Sequence, residues 1–81
     1  MNTTEDIHVM RIMDPIHGDT KHTWSPDNKE ETDLMRELFD KQRKRGMAAY
    51  KVNRKGEKTE VMVAFDPEAA AIIFAPPPQG G

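Results

Sequence analysis

The fold of this chain is decided by residues 25–46, which read SPDNKEETDLMRELFDKQRKRG. Asp27 and Asn28 each stand three residues before a glutamate, a spacing that caps the first turn of a helix. Acidic side chains crowd the beginning of the stretch and basic side chains its end, as the helix dipole favours. Gly46 follows at the position where a left-handed residue stops a helix. The stretch therefore predicts one well-delimited helix.

The predicted helix carries a narrow apolar stripe. Its members recur at helical spacing and are Leu34, Met35, Leu38 and Phe39. Because two turns of apolar stripe cannot form a core alone, the helix must pack on a sheet built from the segments on either side. We expect Phe39 to meet Phe65 and Phe74 in that core, with Trp24 closing one end.

Five segments outside the helix have the β-branched or alternating apolar residues typical of strands: 6–13, 20–24, 47–53, 59–65 and 71–75. Asp66-Pro67 starts a short helical turn before the last of them. In the fourth strand Val61, Val63 and Phe65 share one face, so Met62 takes the other. This alternation predicts that Met62 is exposed on the outer face of the sheet, where partners bind.

The resulting order is ββαββ, a short helical turn, then β, which predicts an α+β fold with a mixed sheet packed on one main helix. A β-grasp, with its first and last strands paired in parallel at the centre, fits this order, and so does a ferredoxin-like arrangement. Eighty-one residues fit one domain, which we place at residues 1–75. Residues 76–81, PPPQGG, cannot join a ladder and predict an exposed tail.

The element order, the small size and the terminal Gly80-Gly81 resemble ubiquitin and its prokaryotic ubiquitin-like relatives. The resemblance implies a β-grasp and a tail threaded into a narrow adenylating site, where only glycine passes without a Cβ clash. It implies an activating enzyme as partner and a Gly81 carboxylate joined to an amine. The prolines at 76–78 and the missing basic residues before the glycines depart from the ubiquitin pattern.

A second resemblance covers the end of the chain, FDPEAAAIIFAPPPQGG, together with the earlier GMAAYKV. These segments are similar to small uncharacterised bacterial and phage-associated proteins. No defined activity follows from this likeness.

A basic stretch occupies residues 41–58, with eight Lys or Arg against one acid, while the rest has four against thirteen. If the helix end and the following hairpin lie together, they form one patch for phosphates or for an acidic protein. The candidate partner-binding residues, with Met62, are Arg43, Lys44, Arg45, Tyr50, Arg54, Lys55 and Lys58.

Nothing in the sequence points to catalysis, to a metal or to a cofactor. The chain has no cysteine and a single serine, the helix-capping Ser25. His8, His17 and His22 match no ligand spacing, so we expect surface histidines. No apolar run approaches a membrane span and no signal-peptide layout is present, which predicts a cytoplasmic chain without a membrane partner.

Three hypotheses about function remain open. The first is a non-enzymatic ubiquitin-like protein that works through Gly80 and Gly81. The second is a small accessory or structural module, phage-associated or bacterial, that docks on a protein by a strand edge or by its proline tail. The third is a nucleic-acid-binding domain that uses residues 41–58.

Overall fold

A computed structural model describes residues 7–77, which form five strands and one helix. In chain order these are β1 (His8–Ile12), β2 (Thr20–Trp24), α1 (Lys29–Lys44), β3 (Ala48–Val52), β4 (Lys58–Met62) and β5 (Ala71–Ala75). The predicted α+β class, with a mixed sheet and one main helix, is confirmed. None of the described helical residues belongs to a helix long and apolar enough to cross a bilayer.

The sheet has the strand order β2-β1-β5-β3-β4. The central pair, β1 and β5, is parallel, and every other neighbouring pair is antiparallel. Parallel neighbours need a long crossover connection, and here the chain between β1 and β5 includes α1. One helix on a five-stranded mixed sheet is compatible with a β-grasp-like class.

The ends of α1 are held by the residues that the sequence singles out. Asn28 is the N-cap, and its Oδ1 accepts a hydrogen bond from the Glu31 amide at 3.1 Å. The Glu31 carboxylate in turn accepts from the Ser25 amide at 2.8 Å, which brings the incoming chain back onto the first turn. Gly46 ends the helix with a φ of 91°, where a side chain would strain the backbone.

The core lies between α1 and one face of the sheet. Phe39 of α1 meets Phe74 of β5 edge-on, with ring centroids 5.1 Å apart, and both rings are fully buried. Phe65 packs against this cluster, as predicted, and lies 5.4 Å from the buried Trp24. The Trp24 indole donates a hydrogen bond to the Pro67 carbonyl at 3.1 Å, which links the turn before β5 to the core.

Leu34 does not lie on the buried face of α1, contrary to the predicted stripe. Its side chain is 61% exposed, whereas Thr32, Phe39 and Gln42 are buried. At 3.6 residues per turn, Leu34 stands roughly 130° around the helix from the centre of that buried set. The sheet therefore covers a stripe displaced toward Thr32, and Leu34 falls outside it.

The inward and outward faces of β4 are the reverse of the prediction. Met62 is 4% exposed and pairs with Ala49 on the face covered by α1, whereas Val61 is 62% exposed. The prediction extended regular alternation from Val61 to Phe65, but the chain bends at residues 63–64. Phe65 therefore reaches the core from a new direction, and Met62 is not an exposed partner-binding residue.

Candidate functional site

The sheet has one face that α1 leaves uncovered, which we call the open face. One row of register partners crosses all five strands on this face: Lys21, Arg11, Ile73, Tyr50 and Val61. A second row runs beside it: Thr23, Val9, Ala71, Val52 and Lys58. The centre of the open face is apolar, its flanks are cationic, and neither row contains an acidic side chain. Such a surface suits a protein partner with apolar and acidic groups.

Two of the predicted partner-binding residues meet on this face. The Lys58 ammonium lies 4.7 Å from the centroid of the Tyr50 ring, an attractive cation–π distance. Tyr50 is the register partner of both Ile73 and Val61, so it joins the apolar centre to the cationic flank. Sequence reasoning selected Tyr50 and Lys58 but missed Ile73, because strand register brings it beside them.

A groove of about 450 Å³ crosses the open face where β3 turns toward β4. Its lining includes the apolar residues Val9, Ala71 and Ile73 and the basic residues Arg11 and Arg54. Val52 also lines the groove. Its side chain is buried but does not belong to the core cluster beneath α1. A groove with apolar walls and guanidinium groups can accept an apolar side chain next to a carboxylate.

The basic residues of the stretch 41–58 form two separate clusters. The helix-end cluster is Arg43, Lys44 and Arg45, and the hairpin cluster is Arg54, Lys55 and Lys58. They lie at opposite ends of β3, whose five residues span about 16 Å at about 3.3 Å per residue. The single continuous patch that the nucleic-acid hypothesis requires is therefore absent among the described residues.

The helix-end cluster is partly fixed by hydrogen bonds. The Arg43 guanidinium donates to the Met47 carbonyl at 3.1 Å, just before β3 begins. The Arg45 guanidinium donates to the Asp14 carboxylate at 2.9 Å and to Gln42 Oε1 at 2.7 Å. Lys44 is exposed and makes no ion pair or hydrogen bond with its side chain among residues 7–77. Two of the cations are thus positioned and one is available to solvent.

Asp14 anchors the connection between β1 and β2, and sequence reasoning did not select it. Its side chain is only 6% exposed and accepts hydrogen bonds from the His17 amide at 3.1 Å and the Ile16 amide at 2.9 Å. These two backbone donors, followed by Arg45 and the His17 ring, hold the pKa of the Asp14 carboxyl far below its usual range. The signal was an Asp-Pro pair directly after a strand, where aspartate commonly caps a turn.

A second ion pair ties β3 to the turn before β5. The Lys51 ammonium donates to the Asp66 carboxylate at 3.0 Å. Its hydrogen bond with Asp66 raises the pKa of Lys51. The pKa of Asp66 is lowered, chiefly by the Glu68 amide and then by Lys51. The predicted turn at Asp66-Pro67 is present, closed by the Ala69 amide on the Asp66 carbonyl at 3.1 Å.

His8 is buried, so the expectation of surface histidines is wrong for this residue. Its ring lies 5.4 Å from that of Trp24, and its Nδ1 lies within hydrogen-bond distance of the Ala69 carbonyl. Because a carbonyl oxygen only accepts hydrogen bonds, the His8 ring donates from Nδ1. His8 and Trp24 thus both donate to carbonyls of the turn before β5. Among the described residues no group of three or more potential metal ligands comes together.

The C-terminal tail begins at the centre of the sheet. β5 ends at Ala75, whose register partner is Ala48 at the start of β3, and the Met13 amide donates to the Phe74 carbonyl at 2.8 Å on the other side. Pro76 and Pro77 follow and are exposed. The predicted site residues Gly80 and Gly81, like Pro78 and Gln79, lie outside the described residues.

Comparison of the chain with protein-family models, with curated proteins and with solved structures finds no match in any of the three.

Proposed function

We propose that this chain is a ubiquitin-like protein-interaction module with a β-grasp fold, and that Gly80 and Gly81 are its working end. One observation carries the proposal. The central strand β5 is paired on both sides and runs directly into Pro76 and Pro77, which are exposed. A tail that follows a doubly paired strand has a fixed point of departure, and stiff prolines hold its first residues away from the sheet.

In this proposal the chain supplies the carboxylate and an activating enzyme supplies the catalysis. The Gly81 carboxylate oxygen attacks the α-phosphorus of ATP, pyrophosphate leaves, and an acyl-adenylate forms. A partner amine then attacks the Gly81 carbonyl carbon, AMP leaves, the amine loses a proton, and an amide bond remains. Because the first step consumes ATP, the proposal places the chain in the cytoplasm. It needs no catalytic residue, cofactor or metal from the chain itself.

The test is intact-protein mass spectrometry and blotting of tagged protein in its own host. A variant lacking Gly80 and Gly81 is the comparison, and a variant with both glycines replaced by alanine keeps the length. We expect covalent adducts of higher mass in the unaltered chain and none in either variant, because a Cβ blocks the narrow channel. A single unmodified species in all three samples would reject the proposal.

A second function, an accessory module that docks without conjugation, is favoured by the open face and by β4. β4 is an edge strand of the sheet and has a described neighbour on one side only. Val61 in β4 and Val63, one residue past its end, are both exposed. An edge of this kind can take another strand. Sedimentation of the purified chain over a hundredfold concentration range separates the alternatives. A mass that rises with concentration supports docking through this edge between copies, and a constant monomer mass argues against it.

The nucleic-acid hypothesis loses its physical basis when the basic residues fall into two clusters at opposite ends of β3. A phosphate backbone binds most tightly to cations that lie along one continuous path. We therefore do not propose nucleic acid as the partner.

A further inference from the structure

The tail after Ala75 carries no charged side chain, because it reads PPPQGG. A partner that takes residues 76–81 gains no long-range attraction from their side chains. Association without electrostatic steering is slow, whereas a cationic cluster near the docking point raises the rate of encounter with an acidic surface. The cations that serve this purpose must therefore come from another part of the molecule.

The fold places such cations beside the beginning of the tail. The pairing of Ala75 with Ala48 sets their Cα atoms about 5 Å apart. The residue before Ala48 is Met47, and its carbonyl holds the Arg43 guanidinium at 3.1 Å. The Arg43 guanidinium thus lies on the order of 10 Å from the end of β5, a distance that about three extended residues cover. This guanidinium therefore lies near the point where the tail leaves the sheet.

The helix-end cluster has a net positive charge beside the start of the tail. Arg45 is paired with Asp14, but the hydrogen bond of Arg43 is to a neutral carbonyl and leaves its charge uncompensated. Lys44 makes no ion pair within the described residues and is exposed. Lys41 is exposed one turn earlier. Arg43 and Lys44 therefore present two uncompensated charges where a protein that takes the tail must approach.

We infer that the protein that accepts the Gly80-Gly81 end has an acidic surface that docks on Arg43 and Lys44, beside the start of the tail. This inference rests on the proposed function and specifies the partner's chemistry. Arg43 and Lys44 are positioning residues: they orient the partner and take no part in forming the bond. Lys44 is exposed and Arg43 is half-buried, so their attraction to an acidic partner is open to counterions and weakens as salt is added.

The chain contains its own charge control. Lys29 and Arg36 lie in the first half of α1, both pair with Asp33, and neither belongs to a candidate binding surface. Reversal of Lys29 and Arg36 to glutamate changes the net charge by the same amount as reversal of Arg43 and Lys44. The double variants R43E/K44E and K29E/R36E therefore separate a local effect at the tail from a general effect of net charge.

The experiment compares adduct formation by the unaltered chain and both double variants in host lysate with ATP, at low and at high salt. We expect R43E/K44E to form adducts about tenfold more slowly at low salt, a difference that shrinks at high salt. We expect K29E/R36E to stay within about twofold of the unaltered chain, as for charges away from the contact. Equal rates in all three proteins, or a larger loss in K29E/R36E, would overturn the inference while leaving the proposed function intact.

Two controls make the result interpretable. Because glutamate opposes the dipole at the end of α1, a milder variant, R43Q/K44Q, and thermal unfolding of every variant accompany the assay. A slow rate in a variant that unfolds like the unaltered chain supports docking, and a rate that recovers in the folded R43Q/K44Q variant contradicts it. Absence of adducts from the unaltered chain would reject the proposed function and this inference with it.

Discussion

Both faces of the sheet have an apolar centre, but only one of them is a core. On the covered face Met10, Ile72 and Phe74 are fully buried beneath α1. On the open face Ile73 and Tyr50 are half-buried, and Val61 is largely exposed. The difference teaches that apolar residues on a strand do not by themselves decide which face is buried. The helix decides it, because one helix of sixteen residues covers one face and leaves the other to solvent or to a partner.

Truncation of a core ring should produce the largest contrast between the faces. We expect Phe74→Ala to lower the free energy of unfolding by about 3–5 kcal/mol, since it removes the ring that Phe39 packs against. Its neighbour on the open face, Ile73→Ala, should cost less than about 1.5 kcal/mol because part of that side chain is already in water. Urea unfolding followed by circular dichroism measures both, and equal losses would mean that the open face is also a core.

The assignment of faces on β4 is tested by two adjacent residues. We expect Met62→Ala to cost about 2–4 kcal/mol, because its side chain is buried against the core. Val61→Ala should change stability by no more than about 0.5 kcal/mol, because its side chain is largely exposed. Thermal unfolding of the two variants decides the question. A greater loss of stability in the Val61 variant would mean that Val61 points inward, as simple alternation predicts.

A smaller effect is expected where the covered face meets the turn before β5. Trp24→Phe keeps a buried ring but leaves the Pro67 carbonyl without its indole donor. The loss of one partly buried hydrogen bond predicts a cost of about 1–2 kcal/mol in the free energy of unfolding. Hydrogen exchange of the Ala69 amide, which closes this turn, should accelerate in the variant more than exchange in β3. Uniform acceleration throughout the sheet would show that Trp24 acts through the whole core instead.

Asp14, at the rim of the sheet, should affect how the stability of the protein changes with pH. We expect the smallest of these effects at neutral pH and a distinct one in acid. The folded-state pKa of Asp14 is held below the ordinary 3.8 by backbone amides and Arg45, so its contribution to stability is complete above that value. The contribution is lost as the pH falls from about 4 toward the folded-state pKa. We expect the melting temperature of the unaltered chain to fall over this acid range more steeply than that of Asp14→Asn. Parallel curves would contradict the role given to Asp14.

The helix was predictable because its signals are local. Asn28 and Glu31 cap it, charges of the correct sign occupy its ends, and Gly46 stops it, all within one short stretch. The aromatic core was also predictable, because large apolar rings have few other places in a small domain. Leu34 was misplaced because the apolar pattern gives a stripe but not the part of the helix surface that the sheet covers.

The candidate site was only partly predictable. Tyr50 and Lys58 were selected from the sequence and meet on the open face. Ile73, by contrast, joins them through the pairing of β5 with β3. Arg11 joins only through the parallel pairing of β1 with β5, whose partners stand about sixty residues apart in the chain. A long-range register depends on the packing of the whole sheet, so no local pattern reveals it.

The sequence by itself determined the helix, its caps, the α+β class and the uncharged tail, because each depends on neighbours within a few residues along the chain. Tertiary structure alone decided which face of β4 points inward, the division of the basic stretch into two clusters, and the position of Arg43 beside the start of the tail. These features depend on a bend, on the length of a strand and on the pairing of Ala48 with Ala75. They follow from contacts between segments that are distant in the chain, so no short stretch of sequence is enough to predict them.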